Sequence, residues 1–136
     1  MPGIRSALMV NGLPVVATPA DIDITSAEQL HVVLLRTAAR SHATIVVDMT
    51  RTRFCDSAGL TVLVRAHKRA VTDGGELRLV LPAGGAVPRI LAITCLDRVI
   101  PVFASLDDAL APRPGAVVLP FRPRPPAGRR RARQPG

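Results

Sequence analysis

The chain has no tryptophan and no tyrosine, and phenylalanine appears only three times in 136 residues. Any core it builds is therefore aliphatic. Hydrophobic residues still make up 48% of the sequence, which is ample for one domain of this length. Cysteine is scarce as well. Cys55 and Cys95 lie far apart and outside any Cys-x-x-Cys pair. That argues against a disulfide framework and against zinc-ligand spacing, and both residues read as buried, reduced thiols. No apolar run approaches the roughly 20 residues of a membrane span. The start, Met-Pro-Gly-Ile-Arg, lacks the apolar stretch of a signal peptide. A soluble cytoplasmic protein without metal or cofactor is the expectation.

Lysine is nearly missing too, and the basic charge is arginine. The net charge of +8 is unevenly placed. Residues 1–112 hold 11 Lys+Arg against all 10 Asp+Glu, a balance of +1. Residues 113–136 hold seven arginines and no acid. The basicity therefore belongs to the tail and not to a folded face. Seven of the 13 prolines also fall at or after residue 112. Such a segment buries too little apolar surface to offset the entropy of ordering, so 113–136 reads as a disordered tail after a domain spanning 1–112. Val117-Val118-Leu119 is its one apolar run, able to dock as an edge segment. Arg129-Arg130-Arg131 and Arg133 suit weak, salt-dependent contact with nucleic acid, though no stacking aromatics support it.

What is present is a regular alternation. Asn11-Gly12 between apolar runs signals a hairpin, with strands near 5–10 and 13–18. Pro14 places its strand's start, or a sheet edge, there. After the loop 18–23, Thr25-Ser26-Ala27-Glu28 has the form of a capping box. Ala27, Leu30, Val33, Leu34 and Ala38 then follow at helical spacing. Residues 44–49 form an apolar run suited to a strand covered on both faces. A second helix is expected over 58–72, with Leu60, Leu63, Val64, His67 and Val71 inward and Asp73-Gly74-Gly75 ending it. A strand over 76–81, a helix over 87–96, a strand over 99–104 and a short helix from 105 complete the order ββαβαβαβα. That order predicts an α/β fold with a mostly parallel sheet.

The chemistry gathers at Phe54-Cys55-Asp56-Ser57-Ala58-Gly59-Leu60. A nucleophile elbow needs Gly-x-Ser-x-Gly, and Cys55 stands where the first glycine belongs. Of the three histidines, His67 would lie ten residues along the same helix, about 15 Å from Ser57. His31 and His42 flank the first helix. Hydrolysis is therefore set aside, and the chain is read as a non-enzyme. A helix cap by Asp56 or Ser57 explains the pair locally, but it leaves Gly59 unexplained. Glycine in a first turn costs about 1 kcal/mol against alanine, which suggests that another backbone approaches closely there. A serine at a helix start is also where a phosphate is best tolerated. Its charge, about −1.5 to −2, would disrupt a docked partner without unfolding the domain.

The stretch Ile45-Val46-Val47-Asp48 together with Phe54–Leu60 resembles the signature of the STAS domain, found in bacterial anti-sigma factor antagonists. The resemblance covers about residues 5–111. It implies a mixed sheet with helices mainly on one face. It implies that Ser57 is phosphorylated by a partner that is both anti-sigma factor and serine kinase. Binding would occur in the unphosphorylated form, freeing a sigma factor for transcription, and a serine phosphatase would reset the switch. The family's acidic loop before the first helix corresponds to Ala20-Asp21-Ile22-Asp23, with Ala20 in place of glycine. The resemblance thus assigns Asp21, Asp23, Asp56, Ser57, Gly59 and Leu60 to the partner surface. A further departure is Thr94-Cys95-Leu96, with cysteine where glycine usually turns the chain. Two alternatives stay open: a STAS scaffold that has lost phosphorylation or binds a small ligand, and nucleic-acid association through the tail.

Overall fold

Asn11 and Gly12 turn the chain back on itself at φ values of 50° and 85°. They join β1 (Leu8–Val10) to β2 (Leu13–Ala17) as an antiparallel pair. The computed structural model describes residues 4–40 and 43–112. The expectations for His42 and for the segment 113–136, including its arginines and residues 117–119, lie outside the described residues. Pro14 is neither at a sheet edge nor at the first position of its strand. It lies opposite Met9, one residue before pairing with the next strand begins at Val15. Its missing N–H therefore costs no ladder bond to that strand.

The remaining elements are β3 (Asp21–Ile22), α1 (Ile24–Ala39), β4 (Ile45–Asp48), β5 (Phe54–Cys55), α2 (Ser57–Thr72), β6 (Leu77–Val80), α3 (Ala86–Ile93), β7 (Val102–Phe103) and α4 (Leu106–Leu110). A 3₁₀ turn, Leu96–Arg98, follows α3. The main sheet has the order β1-β2-β4-β6-β7, with every pair parallel except β1–β2. Its central strand β4 is buried on both faces, as its unbroken apolar run requires.

On one face Val16, Ile45, Val47, Leu77 and Leu79 pack against Leu30, Leu34, Leu63 and Leu91 from α1, α2 and α3. The opposite face is smaller. Val15, Val46 and Val80 meet Ala109 of α4, flanked by Leu106 and Leu110. Helices thus crowd one face, and one short helix shields the other. Arg78 holds that short helix down. Its Nη1 donates to the carbonyls of Ala109 (2.8 Å) and Ala111 (3.2 Å), while Nε donates to Glu76 Oε2 at 2.8 Å.

Several sequence expectations need correction. The first helix is capped by Asp23, whose side chain accepts from the Ser26 N–H, and Thr25 lies inside the first turn. An extended chain through Ile22 puts Asp23 at the helix boundary, so the Thr25–Glu28 capping box does not form. Val71 points outward, 53% exposed, and Gly59 and Ala70 take up the inner stripe of α2 instead. The third helix stops at Ile93, and Cys95 adopts φ 61° in the left-handed region. Cys95 is exposed, so only Cys55 is a buried thiol. Val99 belongs to the turn after α3, which leaves β7 only two residues long.

Candidate functional site

Two very short strands build the site. β3 and β5 form their own parallel pair, with Asp21 opposite Phe54 and Ile22 opposite Cys55. Backbone bonds extend the pairing at both ends: Arg53 N donates to Ala20 O (2.7 Å) and Asp56 N to Ile22 O (3.0 Å). Behind them, buried hydroxyls tie the two loops together. Thr52 Oγ1 donates to Pro19 O at 2.7 Å and lies 2.6 Å from Thr18 Oγ1. The loop after β4 is set by Asp48, whose Oδ1 accepts from both the N–H and the hydroxyl of Thr50. Asp48 is therefore a turn residue.

Each of the paired strands runs directly into a helix, so two helix starts come side by side. Both are capped in the same way. Asp23 Oδ1 accepts from Ser26 N at 2.9 Å, and Asp56 Oδ1 accepts from Gly59 N at 3.1 Å. Hydrogen bonds from the Ser26 backbone, and next from its side chain, hold the Asp23 carboxyl below its usual range. Ser57 is the first residue of α2 and is exposed. Its carbonyl accepts from the Thr61 hydroxyl. No group among the described residues bonds the Ser57 hydroxyl itself. It faces solvent at the positive end of the helix dipole.

Gly59 has a role inside the fold. A Cβ there would lie 2.6 Å from Cys55 Sγ and 2.7 Å from Ile22 Cγ2. The close approach that demands glycine is that of β3 and β5 against α2, and Gly59 itself is buried. The close neighbours are side-chain atoms of the same domain and not, as the sequence suggests, another backbone. Leu60 is half-buried and lines a shallow groove with Ser57, Val64, Thr94 and Leu96.

The other reactive groups are occupied or unsuited. Burial, followed by the neighbouring Asp56 charge, pushes the Cys55 thiol up to about 11. It stays a neutral thiol at neutral pH and is a poor nucleophile. His67 is buried, and its Nδ1 accepts from Leu77 N–H at 3.2 Å, holding α2 to β6. Neither residue is placed to activate Ser57.

The structure thus brings Asp21, Asp23, Asp56 and Ser57 to one end of the molecule, with Leu60 beside them. It adds two residues that the sequence reading passed over. Phe54 is 49% exposed and Ile24 is 74% exposed. Phe54 points outward because Cys55, its neighbour on the strand, points in. Ile24 stands directly after the Asp23 cap. Both apolar residues were visible in the sequence within two positions of a capping aspartate, but only the strand pairing reveals that β3 and β5 bring those two aspartates side by side.

The profile of the STAS domain matches residues 7–109, and the chain belongs to that family. Among its relatives is the anti-sigma-F factor antagonist RsfB of Mycobacterium tuberculosis. It is 27% identical over 101 residues, which span 74% of this chain and 80% of RsfB. The crystal structure of an anti-sigma factor antagonist from Mycobacterium paratuberculosis superposes with a TM-score of 0.71. The identity is 28%, covering 79% of this chain and 92% of the other. The Bacillus cell fate determinant SpoIIAA in its phosphorylated form shares the fold at 14% identity. Its TM-score is 0.60, over 79% of this chain and 96% of that one. Among the described residues, no helix is long and apolar enough to cross a membrane.

Proposed function

We propose that this chain is an anti-sigma factor antagonist. In its unphosphorylated form it binds an anti-sigma factor that is also a serine kinase. Phosphorylation of Ser57 ends that binding, and a serine phosphatase restores it. The observation that carries the reading is the exposed Ser57 hydroxyl at the start of α2, set among three exposed or half-exposed aspartates. STAS family membership and the antagonist relatives support it.

The local physics suits a switch more than a catalyst. Gly59 N is already taken by Asp56, so a phosphate on Ser57 would find the first-turn N–H groups of Ser57 and Ala58 and a favourable dipole. The fold can therefore hold the modified side chain. A partner pressed against Phe54, Ile24 and Leu60 would instead have to desolvate a dianion beside Asp56. Asp21, Asp23 and Asp56 give that surface a negative rim, which calls for basic groups on the partner. Gly59 serves the same surface from within, by letting the strand pair lie close to α2.

The test uses ATP and the cognate anti-sigma kinase. The wild-type chain takes up phosphate, and Ser57→Ala takes up none. Undiminished uptake by Ser57→Ala would remove Ser57 from the mechanism.

A further inference from the structure

Helices α1 and α2 pack side by side, but their facing residues become small toward their C-terminal ends. Ala38 of α1 faces Ala66 and Ala70 of α2, with Leu34, Leu35 and Ile45 completing an apolar wall. A cavity of about 180 Å³ opens between them. Leu35 remains 44% exposed at its margin, so the two helices leave apolar surface unfilled. An apolar cavity of about 150 Å³ is enough to take up benzene. This one therefore accommodates a six-carbon ring or a short branched chain.

Four polar residues, His31 of α1 and Arg65, Arg69 and Asp73 of α2 and its C-terminal cap, complete the lining. His31 and Arg65 line it at mid-helix positions, away from the negative helix ends where a further anion would be repelled. Arg69 and Asp73 also line it, but they are engaged with each other at 3.3 Å. Among the described residues no carboxylate pairs with Arg65. An apolar cavity with one uncommitted guanidinium at its wall has the make-up of a site for a small amphiphilic acid.

We infer that this cavity binds a compact apolar monocarboxylate. Its ring or chain lies among Leu34, Ala66 and Ala70, and its carboxylate lies on Arg65. The cavity itself does not include Ser57, which lies eight residues before Arg65 on α2, about 12 Å along the axis, although Arg65 also borders the groove that Ser57 lines.

The experiment titrates the full-length, isotopically labelled chain with sodium benzoate and follows backbone amide shifts, with sodium chloride at equal concentration as the control. Saturable shifts centred on Ala38, Ala66 and Ala70 are expected. Arg65→Gln should weaken benzoate about tenfold while leaving the binding of neutral toluene unchanged. Ala70→Leu, or Ala66→Met should the first fail to fold, fills the cavity and should abolish the saturable shifts. Absence of saturable shifts in the wild-type chain overturns the inference. So do saturable shifts that survive filling of the cavity, or an Arg65→Gln chain that binds benzoate as well as the wild type does.

Discussion

At the scale of single residues, the site depends on one missing side chain. Gly59→Ala would gain helix propensity of about 1 kcal/mol but would drive a methyl group into Cys55 Sγ and Ile22. Overpacking of that kind costs about 1–3 kcal/mol. Denaturant unfolding of Gly59→Ala should therefore show net destabilisation of up to about 2 kcal/mol. Unchanged or increased stability would mean that β3 and β5 do not press on α2. Asp23 supplies a pH test. Its carboxyl is depressed in the folded state by bonds from Ser26. Its stabilising contribution is therefore complete above the usual carboxylate value of about 3.9, and it is lost as pH falls through the lower folded value. Asp23→Asn keeps a good cap but cannot titrate. Urea unfolding between about pH 5 and pH 2 should show a shallower acid loss of stability in Asp23→Asn than in the wild type.

Elements were legible in the sequence in proportion to their length. The helices α1 and α2 and the strands β4 and β6 announce themselves by apolar spacing over four to 16 residues. The pair β3 and β5 does not, because two residues carry no period and their partner lies more than 30 positions away. Yet it is this pair that sets Asp23 beside Asp56. The Thr25 capping box was a reasonable pattern that lost to tertiary context: β3 carries the extended chain to Ile22 and leaves Asp23 to cap. Cys95 was flagged by its place in a turn that favours glycine, and its positive φ agrees. The short helix α4 was also readable, but its anchor was not, since Arg78 lies 31 residues before the carbonyl it holds. Arg78→Met keeps the bulk of that side chain and removes both bonds to α4. It should cost about 1–3 kcal/mol of stability and raise amide exchange in residues 106–110 above that of α1. Equal protection of α4 in wild type and Arg78→Met would show that Val46, Val80 and Ala109 hold it without help.

For the whole molecule, the alternation of strands and helices was enough to define a mostly parallel sheet, while its one crowded face came only with the family resemblance. The proposed partner surface required a resemblance as well, since local physics alone gives only two capped helices. The geometry joins the two accounts. The cap that starts α2 leaves Ser57 exposed, and the strand pair that demands Gly59 brings a second acidic helix start and two apolar side chains alongside. Under the proposed function, a charge added at that point changes what docks there while the core stays as it was. The most direct measurement compares the affinity of the cognate anti-sigma factor for the chain before and after stoichiometric phosphorylation, with the fold monitored by amide spectra. At least about a tenfold loss of affinity is predicted, with spectral changes confined to the neighbourhood of Ser57. Equal affinity for the two forms would contradict the account.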